Sequence, residues 1–209
     1  MSRPPNTDAR RAQIVAALLP VIAKSGYEKA TIQAIAAQAG LAPGLIHYHF
    51  KTKRDILVTL IETLARAAAT RFEALTGTAT DPHERLRAYL QARLGLGDGA
   101  APDLVAAWVM IGAEAVRQAE VRAVYSQVVA QELASLTLLI KQALRSQQRD
   151  TRHAKPIAAA LLAMMGGAFQ LASAAPGILP VGYAFQAAWD FANARMAAAA
   201  RRPVVQSAI

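Results

Sequence analysis

The 209-residue sequence contains no cysteine, so disulfides, thiol nucleophiles and thiolate metal ligands are excluded. Aromatic residues are also few, at 6% of the chain, whereas apolar residues make up 54% and many of these are alanine. Alanine is the strongest helix former, and no segment shows the strong alternation that is typical of a strand. The composition therefore predicts an all-α protein.

Long apolar runs are scarce as well. The longest one in the C-terminal half, residues 157–169, is shorter than the ~20 residues that a membrane-spanning helix needs. The first eleven residues are polar and charged, unlike the apolar centre of a signal peptide. The sequence favours a buried helix over a membrane span, and we expect a cytoplasmic protein.

Positive charge is concentrated near the start of the chain. Residues 1–55 hold eight basic and three acidic side chains, so the first quarter carries more than half of the net charge of +9. A concentrated positive field attracts polyanions. The partner expected from charge alone is nucleic acid or a membrane surface.

An amphipathic helix is predicted over residues 8–25, because Ile14 and Leu18 lie four residues apart on one apolar stripe. Pro20 lies inside this helix and predicts a kink, since proline removes one hydrogen bond and clashes with the preceding turn. Gly26 is suited to end the helix.

Two short helices follow. Thr31 is a suitable N-cap for a helix that ends at Ala39, and Gly40 suits a left-handed turn after it. Pro43 fits the first turn of the next helix, over residues 43–49. Two short helices joined by a tight turn describe a helix-turn-helix, although chance helical hairpins can share this spacing.

Only helices are predicted beyond residue 52. Asp81, Pro82 and Glu84 form a clear helix start, and residues 95–101 read as a loop. The predicted helices cover approximately residues 53–75, 82–94, 102–118, 121–145, 156–174 and 180–201.

These features resemble the TetR/AcrR transcriptional regulators. The resemblance covers residues 10–64, through Gly26-Tyr27, the helix that starts at Thr31, the segment "GLIHYHF" and Lys53. A looser resemblance, through "AAWVMIGAEAVRQAEVRAVYSQV", connects the C-terminal part to the betaine-responsive, BetI-like branch.

The resemblance implies an all-α homodimer. A helix-turn-helix domain would occupy residues 1–52, and a larger helical domain for ligand binding and dimerisation would occupy residues 53–209. The last two long helices would form a four-helix interface with the partner. The implied function is a DNA-binding repressor that leaves a near-palindromic operator when a small molecule binds. No enzymatic activity, cofactor, metal or membrane partner is expected.

The resemblance also implies roles for single residues in a recognition helix over residues 43–49. Thr31, Tyr48 and Lys53 would meet phosphates, whereas Gln33 and His47 would face base edges together with Gly44 and Leu45. Many members of the family have polar residues where this chain has Ala42 and Pro43. The residues expected at the DNA are Thr31, Gln33, Pro43, Gly44, Leu45, His47, Tyr48 and Lys53, with Arg10, Arg11, Lys51 and Arg54 available to neutralise phosphates.

Ligand contacts are expected from apolar helices of the C-terminal part. The candidates are Trp108, Met110, Glu114, Tyr125, Met165 and Phe169. Methionines and aromatics on helical faces usually belong to a core, and pockets are few. Glu114 is unusual because it lies in an apolar stretch, where it would meet a cationic ligand, Arg117 or water.

Other functions stay open at the level of sequence. His47 and His49 point ~200° apart on a helix, so one metal ion cannot easily bridge them. The four histidines are scattered and fall in no nucleophile motif, so no catalytic residue is predicted. A ligand-binding helical protein without repressor activity, an activator, and a peripheral membrane protein are the remaining alternatives.

Overall fold

The computed structural model of the chain describes residues 5–95 and 102–201. Within these ranges the chain forms nine α-helices and no β-strand, which confirms the all-α class. The helices are α1 (Pro5–Lys29), α2 (Ile32–Ala39), α3 (Pro43–His49), α4 (Lys53–Thr76), α5 (Pro82–Leu94), α6 (Pro102–Arg117), α7 (Ala119–Ser146), α8 (Ala154–Ala174) and α9 (Tyr183–Ala197). The loop predicted at 95–101 lies, apart from Gly95, outside the described residues.

The first helix breaks at a different place from the predicted kink. Helical backbone geometry continues through Pro20, which is exposed, and the kink lies at Gly26 instead, where φ is 77° and ψ is 162°. A proline on the solvent side of a helix leaves the freed carbonyl accessible to water, which reduces its cost. Gly26 was correctly predicted as the end of the regular helix, and one short turn follows it.

The last helix is shorter than predicted at both ends. Gly182 has a left-handed φ of 78° and stands directly before α9, so residues 180–182 form a turn instead of helix. At the other end the chain leaves the helix to pair with Arg149. The Asp150 N–H donates to the Ala200 carbonyl at 2.8 Å, and Arg149 Nη1 donates to the Ala199 carbonyl at 2.7 Å.

The chain divides into two compact units, and α4, α6 and α7 each contribute residues to both. Unit 1 contains Met1–Ala67 and Ala106–Val128. Its core combines helices α1 to α3 with the start of α4 and parts of α6 and α7, through fully buried side chains that include Ile14, Leu18, Ile35, Ile46, Ile61, Ile111 and Val121. The boundary predicted at residues 52/53, between a DNA-binding domain and a ligand-binding and dimerisation domain, stays a prediction.

Unit 2 contains Ala68–Val105 and Val129–Ile209. Its core is formed by α5, α8, α9 and the second half of α7. The buried face of α9 consists of three alanines spaced four residues apart, Ala184, Ala188 and Ala192, followed by Met196. Small side chains allow neighbouring helices to approach closely. The alanine-rich composition is thus used in packing as well as in helix formation.

Length and composition alone would allow two helices, α7 and α8, to cross a membrane. Their most apolar windows have mean hydropathies of 1.3 and 1.7. This criterion is weak, because core helices of water-soluble proteins also meet it. Both helices direct one face into the core of unit 2, where Ile140 and Leu161 are completely buried.

Candidate nucleic-acid interface

The two short helices of unit 1 are fixed by caps at their junction. The Thr31 hydroxyl accepts the Ala34 N–H at 3.1 Å and so caps α2, as predicted. Gly40 follows α2 with a left-handed φ of 65°, and the next residue, Leu41, donates to the Ala36 carbonyl at 2.9 Å. A turn closed in this way sets the direction in which α3 leaves α2.

Helix α3 has one buried side and one exposed side. Ile46 is completely buried and Phe50, directly after the helix, is 3% exposed. On the opposite side Pro43, Gly44 and His47 are exposed, and 78% of Tyr48 is accessible to solvent. A large aromatic side chain held in this position on a short helix is free to meet another molecule.

The remaining residues predicted at the DNA are also reachable. Thr31 and Gln33 are exposed at the start of α2, and Leu45 and Lys53 are half-buried. The cations Lys51 and Arg54 are exposed beside Lys53. The structure therefore brings the predicted residues together in unit 1, while their contacts with DNA stay predictions.

Lys53 makes structural contacts that were not predicted from the sequence. Its ammonium donates to the carbonyls of Tyr27 at 2.7 Å and Glu28 at 3.2 Å, at the C-terminal end of α1. It also lies 4.2 Å from the centre of the Tyr27 ring. Burial lowers the pKa of Lys53, and the carboxylates of Glu120 and Glu28 oppose that shift. Lys53 thus joins the start of α4 to the end of α1.

Two side chains of α1 donate hydrogen bonds to carbonyls at the ends of α2 and α3, as Lys53 does at the end of α1. Gln13 Nε2 donates to the Ala39 carbonyl at the end of α2, at 2.7 Å. Arg11 Nη1 donates to the His49 carbonyl at the end of α3, and its guanidinium lies 4.1 Å from the centre of the Phe50 ring. Cations near a helix C-terminus interact favourably with the helix dipole. Arg11, expected at phosphates, is therefore engaged in holding α3.

The predicted ligand residues divide between the two units. In unit 1 the rings of Trp108 and Tyr125 lie 4.9 Å apart, and Met110 packs against the same core. Burial raises the pKa of Tyr125. In unit 2 Met165 is 2% exposed and Phe169 packs against the core of that unit. Their contacts with a ligand stay predictions.

A shallow, open pocket of about 220 Å³ lies in unit 2, and its lining differs from the predicted ligand residues. It is lined by Phe72, Glu73, Thr76, Gly77 and Arg85. These residues lie at the end of α4 and the start of α5. No sequence signal had singled them out.

Glu114 has protein partners. Its side chain is buried, with 8% of the residue exposed. One carboxylate oxygen, Oε2, accepts the Tyr27 N–H at 3.0 Å, and the other, Oε1, lies 3.6 Å from Arg117 Nη1. Of the alternatives weighed from the sequence, the ion pair with Arg117 is present, and the bond to Tyr27 was missed because the two residues are 87 positions apart.

One cluster of potential metal ligands occurs among the described residues. Ligand atoms of Asp81, His83 and Glu84 lie within 4.8 Å of one another at the start of α5. Asp81 accepts the His83 N–H at 3.2 Å, as a helix cap does. His83 Nε2 forms a hydrogen bond of 2.8 Å with Asn193 Oδ1. Asp81 thus caps α5 and His83 is bonded to α9, so helix capping and packing account for the position of these two side chains.

Comparison with known families gives two matches. Residues 14–60 match the family described as bacterial regulatory proteins, tetR family. Residues 82–197, more than half of the chain, match the family described as BetI-type transcriptional repressor, C-terminal.

Individual relatives are transcriptional regulators. Over 113 residues, or 54% of this chain, the sequence is 35% identical to the HTH-type transcriptional regulator BetI of Rhizobium meliloti (strain 1021), and the match covers 55% of that protein. It is 46% identical over 50 residues to the fatty acid metabolism regulator protein of Bacillus subtilis (strain 168), which is 24% of this chain and 26% of that protein. The match spans about half the length of this BetI relative and about a quarter of the Bacillus subtilis regulator.

Solved structures share the fold. A transcriptional regulator from Rhodococcus sp. Rha1 aligns with a TM-score of 0.71 at 23% identity, covering 92% of this chain and 99% of that one. A protein from Saccharomonospora viridis in complex with choline aligns with a TM-score of 0.71 at 24% identity, covering 89% and 96%. At these identities the likeness establishes the fold alone.

Proposed function

Because this chain belongs to the TetR family of bacterial regulatory proteins and has a BetI-type C-terminal region, we propose that it represses transcription by binding a DNA operator. It acts in the cytoplasm as a homodimer and leaves the operator when a small-molecule effector binds. The family supports this proposal, and the exposed side of α3 is the observation that carries it.

Helix α3 suits the major groove. An α-helix fits this groove, and its outward residues then reach base edges. In this chain the outward residues are Pro43, Gly44, His47 and Tyr48, while Ile46 anchors the helix to the core. The exposed cations Lys51 and Arg54 are available to neutralise nearby phosphates, which adds affinity without reading sequence.

Sequence selection is assigned to three side chains. Gln33 pairs with the ring and amino nitrogens of an adenine, and Leu45 contacts a thymine methyl group. His47 is assigned to base edges as well, from the flank of α3 opposite Leu45. In a homodimer two copies of this surface would enter successive major grooves, ~34–36 Å apart, on a near-palindromic site.

Homodimerisation is assigned to the outer face of α8. Small residues are exposed along this face, at Ala159, Ala163, Gly166, Gly167 and Ala174. Such residues allow a helix of a second copy to approach closely. Together with α9, this face would supply one copy's half of the four-helix interface implied by the family. Leu171, 44% exposed, adds apolar area to the same face.

The effector is assigned to the class of small organic cations. The Saccharomonospora viridis neighbour was solved with choline, and aromatic rings such as the Trp108–Tyr125 pair attract cations. The effector changes DNA affinity only if it binds the DNA-free and DNA-bound conformations with unequal affinity.

A binding titration tests the proposal. Fluorescence anisotropy would compare a duplex from the promoter beside the protein's own gene with a random duplex of equal length at moderate salt. The expected result is preference for the promoter duplex by ~10³-fold or more, which choline then reduces. Equal affinity for both duplexes would refute selective operator binding at this promoter, whereas selective binding that ignores choline would exclude choline as the effector and leave operator binding standing.

A further inference from the structure

One hydrogen bond of unit 1 connects the two regions that match different families. Tyr27 lies within residues 14–60, which match the tetR family, and Glu114 lies within residues 82–197, which match the BetI-type region. The Tyr27 N–H donates to Glu114 Oε2 at 3.0 Å. A residue of the BetI-type region therefore holds the backbone of the DNA-binding region directly.

The backbone at Gly26 creates the need for this bond. Gly26 leaves helical geometry at φ 77° and ψ 162°, so the amide that follows it is turned away from the carbonyls of α1. A buried amide without an acceptor is costly. Glu114 supplies a charged acceptor, and hydrogen bonds to charged groups are stronger than neutral ones.

The carboxylate also lies directly against the glycine. A Cβ atom at position 26 would be 3.4 Å from Glu114 Oε1. The turn at Gly26, near the end of α1, thus contacts the end of α6 through the hydrogen bond at Tyr27 and through a van der Waals contact at Gly26.

The carbonyl of Tyr27 connects the turn at Gly26 to the start of α4 and to the residues that lead into α2. Its carbonyl accepts the Lys53 ammonium at 2.7 Å and the Ala30 N–H at 3.2 Å. Thr31, the cap of α2, follows one residue later. Glu114 on one side and Lys53 on the other therefore hold the peptide groups of Tyr27 immediately before α2 begins.

We propose that Glu114 is a positioning residue for operator binding. It contacts no DNA in this proposal; its carboxylate fixes the turn from which α2 and α3 are presented. The inference rests on the proposed function, because it assumes that these helices bind DNA. Loss of the carboxylate is expected to reduce selective binding more than non-selective binding, since base contacts demand more accurate placement than phosphate contacts do.

Four variants test this inference. Glu114→Ala removes the acceptor, Glu114→Asp withdraws it by one methylene, and Glu114→Gln keeps an oxygen at the same reach. Arg117→Ala is the matched control, because it removes the ion pair and leaves the Tyr27 bond; Arg117 is 68% exposed. Each is titrated with the tightest duplex that the wild type selects from a random library, and with a random duplex.

The expected ratio of operator to random-duplex affinity falls about tenfold in Glu114→Ala, the loss that one charged hydrogen bond can cause. A smaller fall is expected in Glu114→Asp. Glu114→Gln keeps a neutral acceptor and is expected to lose less than Glu114→Ala, whereas Arg117→Ala is expected to stay near the wild-type ratio. Amide exchange at Tyr27 is expected to accelerate in the Ala variant and to stay slow in the Gln variant.

The results separate the inference from the function. If the wild type selects an operator and Glu114→Ala selects it equally well, the inference is wrong and the proposed function stands. If the wild type selects none, both fail. If Glu114→Ala does not fold, the affinity ratio of Glu114→Asp and hydrogen exchange of the Tyr27 amide in the wild type test the inference instead. Exchange of that amide at the rate of an unprotected amide would overturn the inference.

Discussion

Glycine is required at position 26 by its backbone angles. These angles lie in a region that only glycine occupies without strain. An added Cβ would lie 3.4 Å from Glu114 Oε1, which is an ordinary van der Waals contact. A substitution at this position therefore meets mainly a backbone penalty.

Gly26→Ala is therefore expected to destabilise the protein by ~1–3 kcal/mol, the usual cost of such a backbone conformation in other residues. Urea denaturation followed by circular dichroism measures this change. Gly44→Ala is the matched control, because Gly44 has no positive φ and an added Cβ would meet nothing within 4 Å. Equal stability of both variants would contradict the requirement for glycine at position 26.

Gln33 is expected to read a base without supporting the fold. Its exposure means that Gln33→Ala should leave the unfolding free energy unchanged. Operator affinity should fall by ~1–3 kcal/mol, with relaxed preference at one base pair. Selection of duplexes from a random library measures both effects. Gln38→Ala, an exposed glutamine of the same helix, is the control; an identical change in preference would remove Gln33 from base reading.

At the scale of elements, helices α1, α2 and α3 are all capped at their C-terminal ends by side chains from other helices. The last carbonyls of α1, α2 and α3 accept hydrogen bonds from Lys53, Gln13 and Arg11, which come from other helices. Such bonds satisfy carbonyls that have no partner within their own helix. They also fix the helix ends relative to one another, so the placement of α3 depends on residues outside it.

For this reason, alanine substitutions at Lys53 and Lys51 are expected to have different effects on stability. Lys53→Ala removes hydrogen bonds to two carbonyls and should lower stability by about 1–3 kcal/mol, in addition to weakening DNA binding. Lys51→Ala removes only an exposed charge. It should weaken all duplexes alike and reduce the salt slope by ~1 without loss of stability. Thermal unfolding and anisotropy at several salt concentrations distinguish them, and equal stability would argue against the capping role.

Local signals explain which elements could be predicted from the sequence. Thr31, Gly40 and Pro43 act within a few residues of their own position, and the bounds of α2 and α3 were predicted correctly. The C-terminal end of α9 was wrong because pairing with Arg149 shortens the helix, and its start was wrong because Gly182 adopts a left-handed turn. The partners of Arg11 and Glu114 lie 38 and 87 residues away, and no local pattern indicates such contacts.

At the scale of the whole molecule, the two faces of α8 have different consequences. Ala168 is 5% exposed and belongs to the core of unit 2, whereas Ala163 is exposed on the outer face. A charge introduced at position 168 would be buried within one copy. A charge introduced at position 163 would leave folding unchanged and would be buried only where another copy covers it.

Ala163→Glu is therefore expected to give a folded monomer, and Ala168→Glu a protein that unfolds at lower temperature, since buried unpaired charges are strongly destabilising. Light scattering after size exclusion and circular dichroism measure mass and folding. Ala69→Glu, at an exposed position of α4, should remain a folded dimer. A dimer of normal mass from Ala163→Glu would exclude this face as the interface.

The exposure of Tyr48 has a practical consequence in a chain that lacks cysteine. A cysteine placed at position 48 would be unique in each copy and open to a spin label. In the proposed homodimer, pulsed electron paramagnetic resonance would then report the separation of the two labels directly, with and without choline. The geometry of the assembly thus becomes measurable in solution from a single substitution.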